Sequence, residues 1–152
     1  MRRASASLAA GAIYFVAMVA AGWVFGPIRE YCVGAGLDPL LAVLLEAPLM
    51  ILVMLLSSAL TIRALRVRDR AGDRLVMGSF AVLLVLISEF AGGALVRGWG
   101  FYETLANFTT KPGSVLVALL TVALVTPLLQ RRTRSPRVWG PGSAPTGLPE
   151  QP

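Results

Sequence analysis

Four charged residues carry the chemistry this chain can offer in its apolar stretches. Glu46 and Glu89 each sit inside a run of leucine, valine and alanine, while Arg29 and Arg97 each stand just beyond the end of such a run. An acid facing lipid costs about 2.5–3.5 kcal/mol on insertion scales, so carboxylates in such runs turn toward a packed interior, a watery cavity or a cation. Two carboxylates at close range do not both stay ionised; they share a proton, or a cation intervenes. Arginine suits that position because its planar fork binds a carboxylate through two parallel bonds. The set is therefore read as a polar intramembrane cluster of Glu46, Glu89, Arg29 and Arg97. It serves either as a clamp that holds helices together or as a site for protons, a cation or a polar ligand.

Little else in the chain can do chemistry. It has no histidine and one cysteine, Cys32, so an internal disulfide and a cysteine metal site are both excluded. No phosphate-cradling glycine loop and no dinucleotide fingerprint is present. No enzyme activity, metal or cofactor is expected.

The elements that must position the four charges follow from hydropathy. Of 152 residues 56% are hydrophobic and only 14% charged, with a mean hydropathy of +0.72, far from the usage of a soluble domain. Apolar runs lie at residues 8–25, 40–62, 75–96 and 115–129. At about 1.5 Å per residue the middle two exceed the roughly 30 Å of hydrocarbon, the first nearly matches it, and the fourth needs help from its flanks. Backbone in lipid has no outside partner, and no alternating pattern offers a barrel, so all four runs are helices. The expected fold is all-α: a polytopic membrane protein with four transmembrane helices, at about 8–26, 39–62, 75–96 and 113–129, in an antiparallel bundle. Residues 1–137 form this domain, and the Pro- and Gly-rich segment 138–152 is expected to be a disordered cytoplasmic tail.

Basic residues sort by connection. Eleven of the 14 fall before the first run (Arg2, Arg3), between the second and third (Arg63, Arg66, Arg68, Arg70, Arg74) or after the fourth (Arg131, Arg132, Arg134, Arg137). The positive-inside rule then places both termini and the Arg-rich connection in the cytoplasm, leaving Cys32, Arg29, Arg97 and Lys111 outside. The net charge of +6 is thus a topology signal beside anionic headgroups rather than a nucleic-acid patch. The Arg-Arg start and the small residues Ala20, Ala21 and Gly22 also resemble a signal peptide, but the first run is longer than a usual signal core and is read as a retained helix.

Helix one carries Gly11, Gly22 and Gly26 within about 60° of one another, and Gly78 and Gly93 share a face of helix three, so these five are expected packing positions. Pro27 is expected to end helix one, with Arg29 and Glu30 entering the aqueous side. Trp99, Phe101 and Tyr102 fit an interfacial aromatic belt, while the spacing of Phe101, Leu105 and Phe108 predicts a short amphipathic helix on the membrane surface. Asn107-Phe108-Thr109 matches a glycosylation sequon, and no internal repeat is evident.

Depth joins the carboxylates. Glu46 lies seven residues beyond Pro39 and Glu89 seven before Val96, about 10 Å from the same boundary on consecutive helices, so the two are expected to form one coupled unit. Met50, Val53 and Ser57 share the face of Glu46; Gly78, Val82, Val85 and Gly93 share that of Glu89. Pro48 cannot donate to the carbonyl of Leu44, which frees backbone one turn from Glu46.

GPIR at Gly26 to Arg29, EAP at Glu46 to Pro48, and MGSF at Met77 to Phe80 followed by Glu89 together resemble a group of small four-helix bacterial inner-membrane proteins of unassigned function. The resemblance spans Ile13 to Leu129 and implies the bacterial inner (cytoplasmic) membrane and a four-helix topology, without supplying an activity. The expected role is a noncatalytic accessory, assembly or ligand-sensing subunit with its Glu/Arg cluster in the outer leaflet. Its partners are the lipid bilayer and a second copy or a larger membrane complex, with no nucleic acid. The alternative is a small oligomeric proton- or cation-coupled transporter using Glu46 and Glu89.

Overall fold

A computed structural model of the chain describes residues 2–130. Its element order is α1 (Arg2–Gly34), α2 (Pro39–Ala64), α3 (Ala71–Val96), α4 (Phe101–Asn107) and α5 (Lys111–Leu129). All but α4 are long and apolar enough to cross a membrane. The expected tail and the arginines from Arg131 onward lie outside the described residues.

Helix one does not stop at Pro27. It runs on to Gly34, because an interior proline costs one backbone bond and a local clash without preventing the chain from continuing as a helix. Arg29 and Glu30 therefore belong to α1. The helix ends where Gly36 takes φ 101°, so that the Gly36 N–H reaches the carbonyl of Val33 and the Leu37 N–H that of Cys32, each at 3.0 Å. Asp38 then caps α2 by accepting from the Leu41 N–H at 3.0 Å, with Pro39 in the first turn, where its missing N–H costs nothing. Helix α5 likewise starts earlier than its apolar run, since Thr110 caps it through the Gly113 N–H at 3.0 Å and Pro112 sits in the first turn. Nineteen residues bring it close to 30 Å.

The four long helices pack in a ring. Helix α1 lies against α2 and α3, and α5 also lies against α2 and α3, so the sequence neighbours α2 and α3 stand diagonally. The core is built from repeats of about seven residues: Ser7, Ala10, Tyr14 and Met18 on α1, Met54, Ser58, Thr61 and Ile62 on α2, Arg74, Met77, Gly78 and Ala81 on α3, Leu119, Ala123, Thr126 and Pro127 on α5. Small residues set the spacing. A Cβ on Gly11 would lie 2.8 Å from the Met77 carbonyl oxygen, and one on Gly78 would lie 2.6 Å from that of Leu124, so backbones approach closely at both places. Aliphatic residues on the other faces of these helices remain exposed, among them Val16, Leu45, Leu60, Leu83 and Ile87.

One core hydrogen bond depends on a proline. Pro127 has no N–H to offer the Ala123 carbonyl one turn earlier, and that carbonyl accepts instead from the Tyr14 hydroxyl at 3.3 Å across the ring. Tyr14 is fully buried. Toward the α2–α3 connection Arg74, expected in the connection itself, lies in the first turn of α3 and is buried; its Nε donates to the Arg68 carbonyl at 3.1 Å and its Nη2 lies 3.9 Å from Asp69.

Candidate functional site

Two matching helical stripes make the site. Phe25, Ile28, Arg29 and Cys32 follow i, i+3, i+4, i+7 spacing on α1, and Ala42, Leu45, Glu46 and Leu49 follow the same spacing on α2. Packed together, with Leu37 from the intervening turn at the end, they line a groove of about 150 Å³. The continuation of α1 past Pro27 is what completes the first stripe. A helix ending there would leave Arg29 and Cys32 without a fixed direction.

At the groove the Nη1 of Arg29 donates to Glu46 Oε2 at 3.0 Å, while Nη2 lies 3.6 Å from Glu30 Oε1. Glu46 is 13% exposed, Arg29 27% and Glu30 67%, so the acid is the more enclosed member of the pair. One guanidinium thus serves two carboxylates. The groove opens on the outer flank of the α1–α2 pair, since Ile28, Leu45 and Leu49 along it are exposed while Ala42 at its floor is buried. That differs from the expected interior orientation. The buried stripe of α2, Met54, Ser58, Thr61 and Ile62, is rotated by roughly 100° from the line of Glu46, Met50, Val53 and Ser57.

Of the four charged residues named from sequence, the structure brings Arg29 and Glu46 together and leaves the other two apart. Glu89 is half-buried and has no ion pair among the described residues. The reason is the ring order. The face of α3 that carries Glu89 also carries Gly78 and Gly93, which approach Leu124 of α5 and Thr104 of α4, so this face looks away from α2. Arg97 is exposed and stacks over the Trp99 ring, 4.7 Å from its centroid. Glu30 joins the pair instead.

The glycines divide in the same way. Gly11, Gly78 and Gly93 sit at close approaches, the last with Thr104 Oγ1 2.7 Å from where a Cβ would stand, whereas Gly22 and Gly26 have open space beside them. Helix α4 forms beside α3, where Phe90 stacks on Phe101 with centroids 5.0 Å apart and meets Phe108 at 6.2 Å. Glu103 closes its first turn by accepting from the Gly100 N–H at 2.7 Å.

Sequence reasoning passed over the polar residues of the core, Tyr14, Ser58, Thr61 and Thr126. Their signal was helical phase, each standing one or two turns from buried small or apolar residues of its stripe. No group of histidine, cysteine, aspartate or glutamate among the described residues is arranged to hold a metal. No family model, curated protein or solved structure matches this chain.

Proposed function

We propose that this chain is a noncatalytic integral membrane protein that senses or holds an amphiphilic ligand, and that the ligand sits in the groove between α1 and α2. The observation that carries the reading is the Arg29–Glu46 pair set in an otherwise apolar groove that opens sideways. In a bilayer, four antiparallel spanning helices place this flank against acyl chains and the pair near the level of the headgroups, about 10 Å or less from the helix ends. A soluble protein does not leave so much apolar helix surface uncovered.

Orientation follows charge. Arg63, Arg66, Arg68 and Arg70 stand exposed around the α2–α3 connection, which supports placing that connection and both termini on the cytoplasmic side of a bacterial inner membrane, with the groove in the outer leaflet. The open Gly22–Gly26 face supports a role as a subunit that receives another helix, from a second copy or a larger complex. No nucleic-acid role is part of this reading.

A second reading, an oligomeric proton- or cation-coupled transporter, draws on the half-buried Glu89 that lacks a cation partner among the described residues. Reconstitution into liposomes carrying pH- and cation-sensitive dyes separates the two. The ligand-holding reading expects flux no greater than in protein-free vesicles. Flux that falls in Glu46→Gln and Glu89→Gln would replace it with the transporter.

A further inference from the structure

We infer that the α1–α2 groove selects a phospholipid whose headgroup joins a phosphate to a primary ammonium. The inference rests on the amphiphile-holding reading and adds the headgroup. Arg29 and Glu46 line the groove 3.0 Å apart, and Glu30, exposed and outside the lining, lies 3.6 Å from the same guanidinium, so one cation stands with two carboxylates. The surplus negative charge disfavours a purely anionic headgroup and suits an ammonium, while the guanidinium offers a phosphate the paired N–H groups it binds best. A zwitterion satisfies both ends. A bare cation would use only the carboxylates and leave the apolar walls unfilled.

Shape narrows the choice further. Phe25, Ile28, Leu45 and Leu49 wall a space of about 150 Å³, about what a dry engineered cavity needs to take a single benzene. That accommodates a segment of one acyl chain rather than a whole lipid or a sugar. Among the described residues Phe25 is the one aromatic ring lining the groove, too few for an aromatic cage around a quaternary ammonium, whereas a primary ammonium donates hydrogen bonds to Glu30 and Glu46. The amine-bearing head is therefore favoured over its trimethylated counterpart.

The test uses the full chain in nanodiscs doped with phospholipids that carry a diazirine on one acyl chain and an ethanolamine, choline or glycerol head. Labelled peptides are mapped by mass spectrometry. Labelling within residues 25–49 is expected to favour ethanolamine over glycerol and choline by about tenfold, the equivalent of one charge-assisted hydrogen bond. Glu30→Gln alters an exposed side chain, so the fold should survive, and the preference should shrink. Ile28→Trp should fill the groove and lower labelling for all three heads. Equal labelling by all heads, or a preference for glycerol, would overturn the headgroup assignment while leaving an amphiphile in the groove. Absence of labelling in this segment with any head would overturn the ligand-holding reading itself, and the headgroup assignment with it.

Discussion

Removing Arg29 should cost more than removing Glu46. The two ends of the ion pair are not equivalent, because Arg29 keeps Glu30 at 3.6 Å when Glu46 is lost, whereas Glu46 has no second cation among the described residues. Exposed pairs contribute about 0–1 kcal/mol, and stranding one member of a buried pair costs about 3–5 kcal/mol. Glu46 at 13% exposure lies nearer the buried limit, and its upper bound is the roughly 2.5–3.5 kcal/mol of a lone acid in a spanning helix. Allowing for that residual exposure, Arg29→Met should destabilise by about 2 kcal/mol. Glu46→Leu should cost about 1 kcal/mol or less, since the remaining Arg29–Glu30 pair is partly solvated. The double variant should be more stable than Arg29→Met alone, because no acid is left stranded. Equilibrium unfolding of all three proteins in lipid nanodiscs measures this. Equal losses from the two single changes, or a double variant that carries their sum, would refute a pair in which Glu46 depends on Arg29 alone.

Three other outcomes are expected. Gly78→Ala should lose about 1–3 kcal/mol, because its Cβ would press on the Leu124 backbone, whereas Gly22→Ala and Gly26→Ala meet nothing within 4 Å and should be neutral or gain slightly from helix propensity; the same unfolding assay compares them. Arg66→Gly should stabilise by about 1 kcal/mol, since Arg66 follows the Leu65 C-cap of α2 at φ 49°, a left-handed position where glycine has no Cβ penalty. A midpoint that falls instead would contradict the assigned turn. Glu46→Gln and Glu89→Gln should add within about 0.5 kcal/mol, because their helices are diagonal in the ring; strong coupling would restore the paired-acid arrangement expected from depth alone.

The four long helices were legible because their cause is local. Each is an apolar run long enough to cross hydrocarbon, where a segment without a barrel's alternating pattern satisfies its backbone only as a helix. Arg29 and Glu46 were legible for a similar reason, an acid at shallow depth and an arginine one turn from its boundary. What the sequence withheld was the ring order. Matched depth on consecutive helices favoured a Glu46–Glu89 meeting, but Gly11 against Met77 and Gly78 against Leu124 bring α3 to α1 and α5 and leave α2 diagonal. Which small-residue faces meet is decided by packing between segments far apart in sequence. Helix ends were hard to read where a proline stood. Pro27 looked like a stop, yet α1 loses one bond and continues; Pro127 frees a carbonyl that Tyr14 uses from 109 residues away. Single polar residues in the core barely change hydropathy, so only their helical phase marked them.

A membrane-spanning bundle with its α1–α2 groove at the non-cytoplasmic side is tested most directly at Cys32. Cys32 lines the groove, is partly exposed and is the one cysteine in the chain. A membrane-impermeant maleimide applied to intact cells should label it to the same extent as in permeabilised cells, with no label in a Cys32→Ser control. Labelling of the folded protein only after permeabilisation would put the groove on the cytoplasmic side and contradict the account.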